Sequence, residues 1–253
     1  MPDRPLVLVT NDDGAHAPGL LALARAMEAL GEVYVVAPDR ERSAAGHSLT
    51  LHRPLRATEI RERFFMVDGT PTDCVALAVM GILKERPRLL ASGINQGANM
   101  GDDVTYSGTV SAAFEGMLLG IPSMAVSLVD APGADREVAA RVATRLGRLI
   151  LNRGIPLDTL LNVNVPAGRA RGFSVTRQGK RTYNEVIVEK VDPRGRAYYW
   201  IGGGAPAWEM GEGTDYQAVS AGRVSVTPLH LNLTNVQALE ELRAWEGLSA
   251  EGE

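Results

Sequence analysis

Several features that mark particular protein classes are scarce in this sequence. It contains a single cysteine, Cys74, so it can form neither an internal disulfide nor a zinc site built from several thiolates. No apolar run approaches the roughly 20 residues of a membrane span, and the polar N-terminus does not resemble a signal peptide. We therefore expect a cytoplasmic protein that resides in a reducing compartment and has no membrane partner.

Positive charge is also limited. The formal net charge is -4, and the sequence has no run of basic residues, so electrostatics gives no support for binding a nucleic-acid polymer. No G-x-G-x-x-G follows the first predicted strand, and no Gly-Lys-Ser/Thr of a P-loop occurs. The four histidines show no spacing of the H-E-x-x-H type. These absences weaken a dinucleotide, P-loop or zinc-peptidase interpretation.

What the sequence does contain is an ordered series of buried strands and amphipathic helices. Residues 6–10 are apolar and mostly β-branched, residues 20–30 repeat apolar side chains at helical spacing, and residues 33–37 form a second apolar strand. A strand, a helix and a strand in so short a stretch predict a right-handed βαβ unit. We expect a doubly wound, mostly parallel α/β core over residues 1–165, and a β-rich extension over residues 166–253.

Further elements follow from the same patterns. Short strands are expected at 49–56 and 64–67, and a helix at 74–83. Antiparallel strands are expected at 173–176, 183–191 and 198–201, with turn residues at 192–196 that make the last two a hairpin. Thr234 is the expected cap of a C-terminal helix.

Two adjacent carboxylates, Asp12 and Asp13, come directly after the first strand. The carboxyl edge of an open α/β sheet is where ligands bind, and two aspartates held together there repel each other unless a cation is present. Oxygen ligands favour Mg²⁺ or Mn²⁺. The alternative is an ordinary turn and N-cap pair, because aspartate is common at both positions. One cap needs only one acid, so we favour a metal site.

Polar loops follow two other predicted strands. Ser43 lies after the second strand and Asn95 after a later one, and both offer neutral oxygens that could complete a carboxylate-rich site. Asn99 lies in the same Gly/Asn-rich loop as Asn95. Each of these residues could equally be a solvated loop or turn residue.

The tripeptide Ser107, Gly108 and Thr109 opens a predicted helix. Free backbone N–H groups, two hydroxyls and the helix dipole could hold an anion there, although simple N-capping explains the same residues. His47 lies in the Ser43 loop and could donate a proton, but a lone loop histidine is usually just exposed.

Taken together, these motifs resemble the SurE family of nucleotidases, named for stationary-phase survival. The matching segments are VTNDDG at 9–14, APDR at 37–40, GTPTDC at 69–74, SGIN at 92–95, YSGTV at 106–110, LNVNVP at 161–166 and TPL at 227–229. The resemblance covers nearly the whole chain, and residues 177–213 carry the least of it. A histidine stands at position 47, where some relatives carry asparagine, so no fixed proton donor is implied there.

The resemblance implies a Rossmann-like core and a divalent-metal phosphohydrolase acting on nucleoside 5′- and 3′-monophosphates, with some action on short polyphosphate. It implies one Mg²⁺ or Mn²⁺ ion held by Asp12, Asp13, Ser43 and Asn95. It also implies a homodimer or homotetramer with exchanged C-terminal elements.

Our leading hypothesis is therefore metal-assisted hydrolysis of phosphomonoesters. Asp12 and Asp13 would carry catalysis together with Asn99 and Ser107, while Asn99, Ser107, Gly108 and Thr109 would bind the phosphate. The alternative is a regulatory module that binds nucleotides without turning them over.

The predicted hairpin also suggests assembly. It carries Tyr198, Tyr199 and Trp200 in a row, and an isolated two-stranded hairpin is marginal in water. We expect residues 180–204 to reach onto a neighbouring subunit, the alternative being that these aromatic side chains pack back on their own core.

Overall fold

A mixed sheet of nine strands organises the chain in the computed structural model, which describes residues 4–182, 185–203, 207–209 and 211–245. The strands in chain order are β1 (Leu6–Thr10), β2 (Glu32–Pro38), β3 (Ala57–Arg61), β4 (Phe64–Val67), β5 (Leu89–Gln96), β6 (Ser123–Leu128), β7 (Leu160–Val165), β8 (Phe173–Val175), β9 (Arg181–Thr182), β10 (Glu185–Val191), β11 (Ala197–Gly203), β12 (Ala207–Trp208) and β13 (Val224–Leu229). The large sheet has the order β3-β4-β2-β1-β5-β6-β7-β13-β8. Its six central strands, from β4 to β7, are mutually parallel.

Helices cover both faces of this sheet. The described helices are α1 (Pro18–Met27), α2 (Pro71–Leu77), α3 (Gly108–Leu118), α4 (Arg136–Arg153), α5 (Asp215–Ser220) and α6 (Val236–Arg243). Helices α1 and α4 pack on one face and α2 and α3 on the other, whereas α6 has no buried residue. Alternate residues of β1 enter different cores, because Val7 and Val9 pack with α1 and α4 whereas Leu8 packs with α2 and α3. The predicted doubly wound α/β class is confirmed. Among the described helices, none combines the length and apolarity needed to cross a membrane.

The strand order places a topological switch beside β1. The chain leaves β1 through α1 to β2 on one side, and β5 pairs with the other side of β1. Loops after β1 and β5 therefore diverge at the carboxyl ends of the strands, which opens a crevice of the kind that holds ligands in such sheets.

Two predicted elements near this crevice are shifted. Residues 49–56 form no strand, because Pro54 lacks an N–H group and the N–H of Thr50 is bonded to the side chain of Asp73, at 2.8 Å, instead of to a neighbouring strand. The edge strand is β3 instead. Helix α2 begins at Pro71, earlier than expected, since Thr70 and Asp73 form a reciprocal capping box. It continues as a π-helical turn over Ala78–Ile82.

The C-terminal part of the chain contributes to the main sheet. Strand β13 pairs antiparallel with β7. The expectation that 173–176 is an antiparallel strand is wrong, because β8 pairs parallel with β13, its only partner in the described part of the chain. Helix α5, capped by Thr214, was not predicted, and Asn235, not Thr234, caps α6. Strands β13 and β8 belong to the same sheet as the strands before residue 165. The predicted division of the chain into a core and an extension at that residue stays a prediction.

A two-stranded arm, defined here as residues 185–203, stands apart from the sheet. It consists of β10 and β11, which pair antiparallel from Glu185 with Gly203 to Val191 with Ala197. This confirms the predicted hairpin, although Tyr183, its expected first residue, lies outside the described part of the chain. The base of the arm is closed by the pairing of β9 with β12.

Candidate active site

The carboxylate pair lies where β1 leaves the sheet. Asp12 is only 5% exposed, whereas Asp13 is partly exposed. Two other elements meet at Asp12: its backbone carbonyl accepts the N–H of Arg42 at 2.7 Å, and its side chain accepts a short hydrogen bond from the hydroxyl of Thr109. The strand, the loop after β2 and the start of α3 therefore converge on one carboxylate.

The electrostatics of this pair are unfavourable without a cation. Burial raises the pKa of Asp12, and the hydrogen bond from Thr109 only partly opposes this. Burial, followed by the negative charges of Asp12 and Glu41, raises the pKa of Asp13 to about 6, while Arg136 opposes the shift. A cation bound between the two aspartates would offset both the cost of burying their charges and the repulsion between them.

The two neutral ligand candidates lie on the loops that the sequence indicated. The hydroxyl of Ser43 donates to Glu41 at 2.7 Å. The amide nitrogen of Asn95 donates to the carbonyl of Gly97 at 2.8 Å, which leaves the amide oxygen as the atom suited to a cation. A register shift between β5 and β6 at Gly93 and Asn95 adjusts where this side chain points.

The start of α3 packs directly against Asp12. Ser107 is the N-cap, and its hydroxyl oxygen accepts the N–H of Val110 at 3.1 Å. Gly108 lies so near that an added Cβ would be 2.7 Å from the Cβ of Asp12. The capping interpretation of Ser107 is therefore observed, and Thr109 is engaged with Asp12. A phosphate role for these residues stays a prediction.

Asn99 is fixed by a buried hydrogen-bond network. Its side-chain nitrogen donates to the hydroxyl of Ser127 at 2.8 Å, and its backbone N–H donates to the side chain of Asn164 at 2.8 Å. The amides of Asn162 and Asn164 donate to its carbonyl oxygen. The two asparagines of the LNVNVP segment thus hold the loop in place from β7.

His47 is not placed with these residues. Its Nε2 lies 3.0 Å from a carboxylate oxygen of the largely buried Glu115, and its ring is near that of Phe114, further along α3. His47 does not line the cleft described next.

A cleft of about 800 Å³ joins the candidate residues, which is a volume typical of small-molecule sites. It is lined by Asp12, Asp13, Glu41, Ser43, Ala44, Asn95, Gln96, Ala98, Asn99, Asp103, Tyr106, Ser107, Arg181 and Ile201. Gly108 and Thr109 lie behind this surface, against Asp12.

Sequence reasoning missed several of the lining residues. Arg181 contacts both carboxylate oxygens of Asp103 through Nη1, each at 2.7 Å, and thereby connects the arm base to the site. Asp103 and Tyr106 stand in or next to the matching motifs, and Glu41 lies in the predicted Ser43 loop. Their place beside predicted site residues was therefore the signal that could have identified them. Arg181 and Ile201 carried none, because their approach depends on how the arm base folds back.

The donor set fits a hard divalent cation. Two carboxylates, one amide oxygen and one hydroxyl are all oxygen ligands, as Mg²⁺ and Mn²⁺ prefer. Within the described ranges, no group of three or more His, Cys, Asp or Glu side chains is arranged to hold a metal. A cation at the aspartate pair would therefore need the neutral oxygens of Ser43 and Asn95.

Known proteins share this architecture. The sequence matches the family described as "Survival protein SurE" over residues 7–185. The chain belongs to the SurE family. A protein from Geobacter sulfurreducens named 5'-nucleotidase SurE is 58% identical, over 95% of this chain and 93% of its own. Another of that name, from Syntrophotalea carbinolica, is 57% identical, over 95% and 97%.

A solved SurE structure extends the likeness to three dimensions. The crystal structure of the Sure protein from Aquifex aeolicus has a TM-score of 0.84 at 48% identity, and the match covers 94% of this chain and 98% of that one. The SurE resemblance proposed from the motifs is confirmed, and so is the α/β fold.

The raised pKa of Asp13 predicts a pH effect on stability. In the metal-free folded chain Asp13 keeps its proton up to about pH 6, whereas an unfolded aspartate releases it near pH 3.8. The folded state therefore binds more protons in this window, so the free energy of unfolding should fall as the pH rises from about 4 to about 6. Asp13→Asn should flatten this fall, as measured by denaturant unfolding in EDTA at several pH values.

The matched control is Asp158→Asn, which changes an exposed loop aspartate and should keep the wild-type pH slope. An Asp13→Asn slope equal to that of the wild type would show that Asp13 is not the group responsible.

The close approach of Gly108 to Asp12 predicts a second effect. The Cβ of Gly108→Ala would lie 2.9 Å from Oδ2 of Asp12, so the carboxylate must move. We expect Mn²⁺ affinity to fall by about ten-fold or more, as when a supporting contact of a metal ligand is lost. Calorimetric titration with Mn²⁺ measures this, with Gly81→Ala as a control outside the site. Unchanged Mn²⁺ affinity in Gly108→Ala would count against Asp12 as a ligand.

Proposed function

We infer that this chain is a nucleotidase, a hydrolase that removes phosphate from nucleoside 5′-monophosphates. Its membership of the SurE family and its high identity to relatives named 5'-nucleotidase support this activity. The observation that carries the chemistry is the pair of the buried Asp12 and the partly exposed Asp13, set in a cleft beside the start of α3. Action on 3′-monophosphates and short polyphosphate is part of the proposal and is supported by the matching motifs alone.

The finer proposal concerns the metal. One Mg²⁺ or Mn²⁺ ion per subunit would be held by Asp12, Asp13, Ser43 and Asn95. When bound, such an ion polarises a phosphoryl oxygen and lowers the pKa of coordinated water.

The chain's own groups would divide the remaining work. Asn99, immobilised by Ser127 and Asn164, would orient the phosphate or the attacking water. Ser107 lines the cleft at the positive end of α3, where the helix dipole favours phosphate. Gly108 lets the helix approach Asp12, and Thr109 holds the Asp12 carboxylate through its hydroxyl. In this proposal Asp12 and Asp13 act in catalysis by placing the cation against the phosphate.

A cytoplasmic location remains part of the proposal. It is supported by the single cysteine, Cys74, which is buried and suits a reducing compartment.

Asp12→Asn tests the catalytic assignment. We expect phosphate release from AMP to fall by roughly 100-fold or more, because one of two charged ligands is lost and each tenfold corresponds to about 1.4 kcal/mol. The melting temperature in EDTA should hold or rise, since a buried charge is removed. The measurement is phosphate release with Mn²⁺, Mg²⁺ or EDTA.

Near-normal turnover of Asp12→Asn at saturating metal would defeat the metal assignment. AMP binding without any phosphate release by the wild-type protein, under all three conditions, would favour the regulatory alternative.

We also propose that the arm contacts a neighbouring subunit, in a dimer or tetramer. Its aromatic side chains are exposed within a single chain, with Tyr198 at 41% and Trp200 at 63%, so they do not pack back on the described core. Helix α6 likewise has no buried residue, although it carries apolar side chains such as Leu239 and Leu242. Exposed apolar area on this scale is typical of an interface.

The double substitution Tyr198→Ser and Trp200→Ser should lower the oligomeric mass. These side chains share one face of β11 and would lose the apolar contact that holds the neighbour. Light scattering measures the mass, and Leu157→Ser, at an exposed apolar site away from the arm, should leave it unchanged. A wild-type protein that is monomeric at micromolar concentration would refute the assembly proposal.

A further inference from the structure

Large apolar side chains are scarce in the lining of the cleft. Of the described residues that line it, only Tyr106 and Ile201 carry such side chains, and the others are acidic, polar, basic or alanine. Both are open to solvent, with exposed fractions of 62% and 78%. The acids repel the negative faces of an aromatic ring and prefer water or a cation. Among the described lining residues, Tyr106 and Ile201 are therefore the side chains suited to an apolar group of a ligand.

Tyr106 stands next to the proposed phosphate end. It directly precedes Ser107, the N-cap of α3, and its backbone N–H is bonded to the carbonyl of Asp103 at 3.1 Å. The 3₁₀ turn before it begins at Gly101, whose N–H is bonded to the buried carboxylate of Asp215 at 2.9 Å. The backbone at Tyr106 is therefore anchored, while its side chain remains exposed.

Ile201 reaches the cleft from the arm. On the paired strand Ile187 lies directly opposite Ile201, so their side chains share a face of the hairpin. Trp200 belongs to the other face, because side chains alternate along a strand. Ile201 therefore lies on the face of β11 opposite to the one that carries Tyr198 and Trp200.

We propose that Tyr106 and Ile201 bind the nucleoside part of the substrate. The base stacks on the ring of Tyr106, with Ile201 in contact with the base or ribose from the arm, while the phosphate lies at Ser107 and the aspartate pair. This inference rests on the proposed nucleotidase activity and adds the residues that distinguish a nucleotide from other phosphate esters. A phosphate ester without a base has no ring to stack on Tyr106.

Tyr106→Ala separates the two substrate classes. Loss of stacking should lower kcat/KM for AMP by about ten-fold or more, mainly through KM. The kcat/KM for ribose 5-phosphate, which has the sugar and phosphate but no base, should stay within about two-fold of the wild type. Tyr106→Phe keeps the aromatic ring and should behave as the wild type. Ile201→Ala should act in the same direction as Tyr106→Ala but less strongly, since it removes apolar contact and no stacking.

Two further measurements sharpen the test. Adenosine, which lacks phosphate, should inhibit ribose 5-phosphate hydrolysis by the wild type and inhibit Tyr106→Ala more weakly. Leu118→Ala, which truncates an exposed apolar side chain at the far end of α3, is the matched control and should change neither substrate.

The outcomes are distinguishable. Equal losses on AMP and ribose 5-phosphate in Tyr106→Ala would overturn this inference alone, because the residue would then serve the phosphate end or the fold. A Tyr106→Phe variant as impaired as Tyr106→Ala would also overturn it, since the hydroxyl and not the ring would be responsible. A wild-type protein that releases phosphate from neither ester would overturn the proposed function, and the inference with it.

Discussion

Two carboxylates confined at the exit of a central strand are the constraint on which the rest of this site depends. Asp12 is buried and Asp13 partly so. Burial raises the pKa of both, and the charge of Asp12 raises that of Asp13 further. Water solvates the two charges poorly at that position, so groups on the surrounding loops have to stabilise them. The hydroxyl of Thr109 supplies one hydrogen bond, and the geometry leaves room for a cation with neutral oxygens nearby.

The scaffold around the pair is correspondingly rigid. The backbone N–H of Arg42 donates to the carbonyl of Asp12, and Asp73, a member of the α2 capping box, accepts the N–H of Thr50. Asn162 and Asn164 hold the Asn99 loop. These contacts come from elements far apart in sequence. Functional groups on loops can be positioned accurately when buried hydrogen bonds of this kind fix the loop backbone.

The C-terminal part of the chain has two relations to the site. Strands β13 and β8 extend the sheet, whereas the base of the arm brings Arg181 and Ile201 to the cleft. Asp215 links this region to the 3₁₀ turn before Tyr106, because it accepts N–H groups from both Gly101 and Gly179. The same hairpin can therefore serve the substrate with one face and, in our proposal, a neighbouring subunit with the other.

The sequence by itself determined the fold class and the positions after β1, β2 and β5 from which the site is built. Strand and helix periodicity and the exit of parallel strands at one edge are local consequences of the residues, so Asp12, Asp13, Ser43, Asn95 and Ser107 could be chosen and do line one cleft. Only the tertiary structure decided that 49–56 is no strand, that Thr109 bonds to Asp12, that His47 pairs with Glu115, and that Arg181 and Ile201 reach the cleft. Each of these depends on which distant residue a donor or side chain meets, and no local pattern encodes that pairing.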